Sequence, residues 1–508
     1  MTARALLDAL LDSGTFRSWD GAPVDVRPDP GYAAELARAR AATGCDESLR
    51  TGEGLLGGRR VAVAVSEFGF LGGSIGVAAA ERLTLAVERA TAEGLPLIAA
   101  PASGGTRMQE GTVAFLQMIK VTAAIAAHQA AHRPYLVYLR HPTTGGVFAS
   151  WASVGHLTLA EPGALIGFLG PRVHEALVGA PMPAGVQTAE NLLAHGLVDA
   201  VVPGGELAGY LARVLAATDA GPGLASAAAA DRAPARAGVA RADVARADVA
   251  RAGASRAGGG TGAWESVLRT RRPGRPGAAD LIRSVATDVV PLSSGGLILA
   301  LARIGGRPCV LAGQDRTALP HGPETLRTAQ RGMRLAASLA LPFVAVIDTP
   351  GGELSPAAEQ GGLAREIARS LQALITLPVP TISVLLGQGT GGAALALLPA
   401  DHVLAAGHAW LAPLAPEGAS VIVYQDTAHA PELAERQGIA AAALAAAGLV
   451  DQVVAETDSG PLLADLGRLL GAALDRLAAG DDDVRLADRH DRYRRLGLPE
   501  RPRPGGKR

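Results

Sequence analysis

Lysine is almost missing: only Lys120 and Lys507 occur in 508 residues, so nearly every cation is arginine. A prosthetic group borne on a lysine has almost nowhere to attach, and the arginine excess itself reads as a GC-rich coding habit. Cysteine is equally scarce. Cys45 and Cys309 are too few for a metal-ligand cluster and argue against a disulfide framework. Aromatic residues make up 3%, which leaves the core to Ala, Val, Leu and Ile. A net charge of −1 carries no bias toward nucleic acid. No Gly-x-x-x-x-Gly-Lys-[Ser/Thr] loop occurs, so that kind of nucleotide-phosphate cradle is absent. No stretch approaches roughly eighteen uninterrupted apolar residues, and the acids among the leucines of residues 1–12 are unlike a signal peptide. A soluble cytoplasmic chain that spans no membrane is expected.

Glycine and small apolar residues are what the chain does have. Hydrophobic residues reach 48%, and the length suggests roughly two to four domains. The stretch Ile382-Ser-Val-Leu-Leu-Gly-Gln-Gly-Thr-Gly-Gly-Ala-Ala-Leu-Ala-Leu397 reads as an apolar strand, a glycine turn and a small-residue helix opening at Gly391-Gly392. Bare glycines at a helix start leave backbone N–H groups open to a close anion. The arrangement occurs twice. Pro342, Pro380, Gly391 and Gly392 each lie 246 residues after Pro96, Pro134, Gly145 and Gly146. A constant offset over separate landmarks predicts a duplicated domain.

Taken in order, residues 1–50 form a leader, with helix and a Pro-rich stretch. Residues 51–216 follow as a first domain, with a strand from Arg59, a helix over Val77–Ala92, a strand over Leu97–Ala100, a long helix over Met108–Ala131 and a strand over Tyr135–Leu139. Alternation at this spacing predicts βα units on a mostly parallel sheet, whose loops beyond the strand C-termini bind ligands. Residues 217–279 read as a low-complexity linker, because Val-Ala-Arg-Ala-Asp recurs every five residues from Val239 to Asp248 and fits no packed helix face. A second domain spans 280–480, with strands over Leu297–Ile304 and Pro308–Leu311. The tail, 481–508, alternates acids with arginines and is expected to be poorly ordered.

Several blocks then resemble a known family. Ser103-Gly-Gly-Thr-Arg-Met-Gln-Glu110, Pro142-Thr-Thr-Gly-Gly-Val147 and Ala160-Glu-Pro-Gly-Ala-Leu-Ile-Gly-Phe168 resemble the carboxyltransferase β subunit of bacterial acetyl-CoA carboxylase. Ile347-Asp-Thr-Pro-Gly351, Ala358-Glu-Gln-Gly361 and Gly387-Gln-Gly-Thr-Gly-Gly-Ala393 resemble its α subunit. The resemblance covers about residues 20–205 and 280–455 and implies a fused β–α enzyme, an α/β protein of two tandem crotonase-like (ClpP/crotonase) domains. It further implies transfer of a carboxyl group from N-carboxybiotin, carried on a separate biotin carboxyl carrier protein, to acetyl-CoA. Biotin carboxylase would be the other partner, and a homodimer would join the N-domain of one protomer to the C-domain of the next at each active site. The family's β subunit carries a four-cysteine zinc ribbon; this chain has no cysteine before Cys45, so no metal is expected.

The reaction forms two anions, a thioester enolate and the ureido oxyanion of biotin, and each needs preorganised donors. By resemblance, Gly145 and Gly146 meet the thioester oxyanion, supported by Gly104 and Gly105. Gly391 and Gly392 would hold the biotin carbonyl, with Gly351 and Gly352 nearby. Arg107 and Arg172 are candidate contacts for CoA phosphates or a substrate carboxylate, or else structural ion pairs. Lys120 reads as a CoA contact or a solvated helix face, Glu110 and Glu161 as backbone caps, and His141, His174 and His321 as surface histidines. Asp348 and Glu417 would position loops of the second half. Two other readings stay open: a malonate decarboxylase-type subunit pair on the same fold, and a catalytically silent scaffold.

Overall fold

Each half begins as an antiparallel hairpin and becomes parallel once helices intervene between strands. The computed structural model describes residues 1–218, 262–293, 295–317, 321–456 and 461–498. In the first sheet β1 (Arg17–Ser18), β2 (Leu49–Leu56) and β3 (Arg59–Ser66) pair antiparallel. The strands β4 (Leu97–Ala100), β5 (Tyr135–Leu139), β7 (Leu157–Ala160) and β9 (Ala200–Val201) extend it in parallel. A short ladder joins β6 (Thr143–Thr144) to β8 (Ile166–Gly167). The second sheet repeats the plan with β10 (Ala286–Ser293), β11 (Leu297–Ile304) and β12 (Arg307–Gln314) antiparallel, then β13 (Phe343–Thr349), β14 (Thr381–Thr390), β15 (His402–Ala406) and β17 (Gln452–Val454) in parallel. The strand β16 (Trp410–Ala412) pairs with the end of β14.

The 246-residue offset reappears in hydrogen bonding. Leu97 faces Tyr135 across β4–β5, and Phe343 faces Thr381 across β13–β14. The isolated bridge Ile75–Thr106 recurs as His321–Gly352. Gly105 N–H donates to Ser103 Oγ at 3.0 Å, and Gly351 N–H donates to Thr349 Oγ1 at 3.0 Å. Both hairpins turn on paired glycines with positive φ, Gly57-Gly58 and Gly305-Gly306, the conformation that a two-residue turn matched to strand twist requires.

The two halves share one apolar core, which runs from Leu83 and Ile119 through Ile367 to Leu404. The helix Gly111–Ala130 is part of that junction. Its first residues hydrogen-bond the second half, Thr112 N–H to Gln437 O at 3.0 Å and Thr112 Oγ1 to Leu411 O at 3.1 Å. Gly111 is required there: its φ is 62°, and a Cβ would stand 2.7 Å from Gln437 O. The same glycine explains why the expected helix over 108–131 starts as a separate 3₁₀ turn, Met108–Glu110. Met108–Ala130 is long and apolar enough by length and composition to cross a membrane, but 78% of its most apolar window is buried inside the protein.

Two expectations about order fail. The linker boundary at 279 is too late, since Ala263–Thr270 is a helix that buries Val267 and accepts the Trp410 indole N–H on Thr270 Oγ1 at 2.9 Å. The pentapeptide repeat lies outside the described residues. Within the described part of the tail, Asp482–Arg494 is a helix capped by the Asp481 carboxylate. Spacing at i, i+4 and i+8 puts Arg485, Arg489 and Tyr493 on one buried face. Arg489 pairs with Asp401 at 2.7 Å and donates to the carbonyls of Leu374, Leu377 and Val379. A guanidinium with five donors can be buried when each finds an acceptor.

Candidate active site

The two Gly-Gly turns face one cavity of about 370 Å³ at the seam between the halves. Each turn ends a strand and opens a very short helix, Gly145–Phe148 or Gly391–Leu395. Gly145 and Gly391 adopt φ of 66° and 65°, a region costly for residues with a Cβ. The N–H groups of a first helical turn have no partner within the helix, so those of Gly146, Val147, Gly392 and Ala393 have no acceptor inside their own helices. Gly104, Gly351 and Gly352 also line the cavity, while Gly105 lies behind, where a Cβ would sit 3.3 Å from Gly145 Cα. Gly145 departs from its expected role. Its N–H donates to Phe168 O at 3.1 Å, so it is spent within the protein.

The walls are apolar, with Met108, Phe115, Phe168, Leu177, Leu354 and Leu395 prominent. No titratable side chain lines the cavity among the described residues; Thr106 and Thr390 supply its hydroxyls. The Thr106 hydroxyl stands beside Gly146, 2.7 Å from where a Cβ would be placed. The Thr390 hydroxyl is buried without a partner.

The charged candidates are elsewhere. Arg107 is fully buried and pairs with Glu47, at 2.5 Å on Nη2 and 3.0 Å on Nη1, and with Ser74 O. It braces the loop from behind as an ion pair and does not line the cavity. Arg172 is exposed, outside the lining, at the start of the helix Pro171–Val178. Lys120 is neither solvated nor a cavity residue; it is buried and pairs with Glu81, which also holds Arg494 at 2.7 Å. His174 and His321 are buried and not on the surface as expected. Burial pushes His321 down to about 4, so it is neutral near pH 7. Glu110 does cap, accepting the Val77 N–H at 2.6 Å, and Glu161 accepts the His141 N–H at 3.0 Å. Asp348 fixes the approach to the second turn by accepting the Gln388 N–H at 3.0 Å and Arg316 at 2.6 Å, and Glu417 pairs with Arg271 at 2.5 Å. Burial pushes Asp348 up, against the pull of Arg316 and the Gln388 N–H.

Both turns line this cavity within a single chain. Sequence reasoning passed over Phe168 and Glu359. Both stand inside quoted blocks, but nothing in their spacing signals that they touch.

Comparison with known proteins agrees with the block pattern. Residues 1–203 match the family described as carboxyl transferase domain, and residues 258–497 match the acetyl co-enzyme A carboxylase carboxyltransferase-like family. The probable biotin-dependent acyl-coenzyme A carboxylase beta3 subunit of Mycobacterium tuberculosis (strain ATCC 25618 / H37Rv) is 55% identical over 98% of this chain and 99% of its own length. The acetyl-coenzyme A carboxylase carboxyl transferase subunits beta/alpha of Salinispora arenicola (strain CNS-205) are 40% identical over 90% of this chain and 82% of theirs. Among solved structures, transcarboxylase 12S aligns over 95% of this chain and 90% of its own, with 22% identity and a TM-score of 0.38. Matches to both halves, and identity sustained end to end, place the chain in the carboxyl transferase family of the biotin-dependent acyl-coenzyme A carboxylases.

Proposed function

We propose that this chain transfers a carboxyl group between biotin on a separate carrier protein and a coenzyme A thioester, with acetyl-CoA as acceptor and malonyl-CoA as product. The observation that carries the reading is the pair of glycine turns facing one cavity whose lining holds no titratable side chain among the described residues. Such a lining suits a reaction whose charge develops on two oxygens, each met by backbone N–H groups. It suits acid–base chemistry by side chains poorly. The N–H groups of Gly146 and Val147 would hold the thioester oxygen, with Gly104 and Gly105 shaping the turn. Those of Gly392 and Ala393 would hold the ureido oxygen of biotin, with Gly391 setting the turn and Gly351 and Gly352 leaving room. Preorganised donors of this kind are worth about 10²–10³ each in rate.

The residues present fit biotin: bare glycines admit a close carbonyl, and apolar walls suit its ring system. Biotin supplies the labile carboxyl group and, once relieved of it, a basic ureido group that can take the α-proton. The chain's own part is to orient both oxygens and exclude water. Attachment of biotin falls to another polypeptide, because Lys120 is buried against Glu81 and Lys507, in Gly505-Gly-Lys-Arg508, stands in no Met-Lys-Met-type attachment site. A biotin carboxylase is the second proposed partner, and no ATP-phosphate loop occurs here. The repeated bridges and turns favour duplication of one crotonase-like ancestor as the origin of both halves. A homodimer belongs to the same proposal; sedimentation tests it.

Purified chain, malonyl-CoA and biocytin should yield acetyl-CoA. Absence of turnover by folded protein would sink the reading and favour the decarboxylase-type or scaffold alternative.

A further inference from the structure

Phe168 touches both glycine turns. Its carbonyl accepts the Gly145 N–H at 3.1 Å. Its ring lies 3.5 Å and 3.4 Å from the points where side chains at Gly352 and Gly392 would begin. Its own N–H donates to both carboxylate oxygens of Glu359, at 2.9 and 3.0 Å. Glu359 belongs to the other half, on the helix Pro356–Gln360 that follows the Gly351-Gly352 loop. The same carboxylate accepts Gln187 Nε2 at 2.7 Å, and that amide also donates to Leu169 O at 2.8 Å. One residue of the first half is therefore held by an anion of the second half, grips the first turn with its carbonyl and rests its ring on the second.

We propose that Glu359 is a positioning residue that acts through Phe168 to set the distance and tilt between the two glycine turns. This rests on the transfer reading above, because alignment matters where one group must pass between two bound substrates. Hydrogen bonds from N–H groups to a carboxylate are stronger than those between neutral groups, which suits a link that has to hold two halves in register. Burial pushes the Glu359 carboxyl up, against the pull of Gln187 and the N–H groups of Phe168 and Leu169. The anion therefore depends on those donors as much as they depend on it. Neither residue has to touch a reacting atom for its loss to matter, since a displacement of about 1 Å can lower a rate about 10²-fold.

The test uses the full chain with Glu359→Gln and Phe168→Leu. Glu359→Gln should lower kcat for carboxyl transfer by about 10²-fold, with KM for both the coenzyme A thioester and biocytin at wild-type level. Amide hydrogen exchange should quicken at 145–148 and at Phe168 and stay unchanged at 391–395. The double variant should be little worse than either single one, because both changes break one connection. A wild-type kcat with unchanged exchange overturns the proposal, and so does a raised KM for one substrate at normal kcat, which would mean direct contact. If Glu359→Gln fails to fold, Phe168→Leu decides, and a wild-type kcat there overturns it too. If the wild-type chain transfers nothing, the function reading fails, and the exchange data still decide whether Glu359 governs the first turn.

Discussion

The two glycine turns share a backbone and differ in what surrounds it. In the first, the Gly145 N–H is consumed by Phe168 O, the Thr144 hydroxyl reaches Ser103 O at 3.5 Å, and the loop is braced by the buried Arg107–Glu47 pair. In the second, the Thr390 hydroxyl has no partner, and the brace is Asp348, held by Arg316. The two turns have in common the positive φ of their first glycine. They do not share the charges behind it. Equal turns on unequal supports fit two different ligands better than two copies of one.

The largest effect should come from breaking the turns themselves. Gly391→Val and Gly145→Val both place a β-branched residue at positive φ, and each should lower transfer by about 10²–10³-fold with the fold retained. The comparison predicts a split in binding. Saturation-transfer NMR should show that Gly391→Val loses biocytin and keeps the coenzyme A thioester, and that Gly145→Val does the reverse. Loss of the same ligand in both variants would break the assignment of one turn per substrate.

Next in size are the braces. Arg107→Met strands the Glu47 carboxylate in the interior, and removing one partner of a buried pair costs about 3–5 kcal/mol, readable in urea denaturation. Arg316→Met should cost less at neutral pH, because Asp348 can escape by taking a proton. Burial already raises the Asp348 carboxyl. A folded-state value above the unfolded one means that the fold gains stability as pH falls into that interval, so the deficit of Arg316→Met should narrow on acidification. A deficit that widens would put the two braces on the same footing.

These contrasts also mark how far the sequence could be read. Strands such as Leu97–Ala100 and Tyr135–Leu139, and the helix Val77–Ala92, were legible to the residue, because apolar runs and glycine punctuation report local backbone preference. The turns were legible because only glycine tolerates their φ. The partners of Arg107 and Lys120 were not, since Glu47 and Glu81 are distant in the chain and an isolated charge looks the same whether buried or solvated. The tail shows the same limit: acids alternating with arginines read as a solvated segment until Asp401 and three carbonyls claim Arg489. Phe168 and Glu359 meet across the seam between halves, where no local period reaches.

The smallest effect tests what holds the tail helix against the second half. Asp451 accepts the Val403 N–H and Arg492 Nη1, each at 2.7 Å, and lies 3.3 Å from His402 Nδ1. Burial by itself would raise its carboxyl, yet the His402 and Arg492 side chains and the Val403 N–H together bring it down to about 2. A folded-state value below the unfolded one contributes stability above the ordinary carboxylate range, and that stability is lost as pH falls through about 2. Arg492→Met should therefore flatten the acid dependence of stability measured by urea denaturation across that interval and leave the neutral-pH cooperativity of the first half intact. An unchanged acid slope would mean that the tail only covers the β15–β17 edge and that its arginine does not hold it.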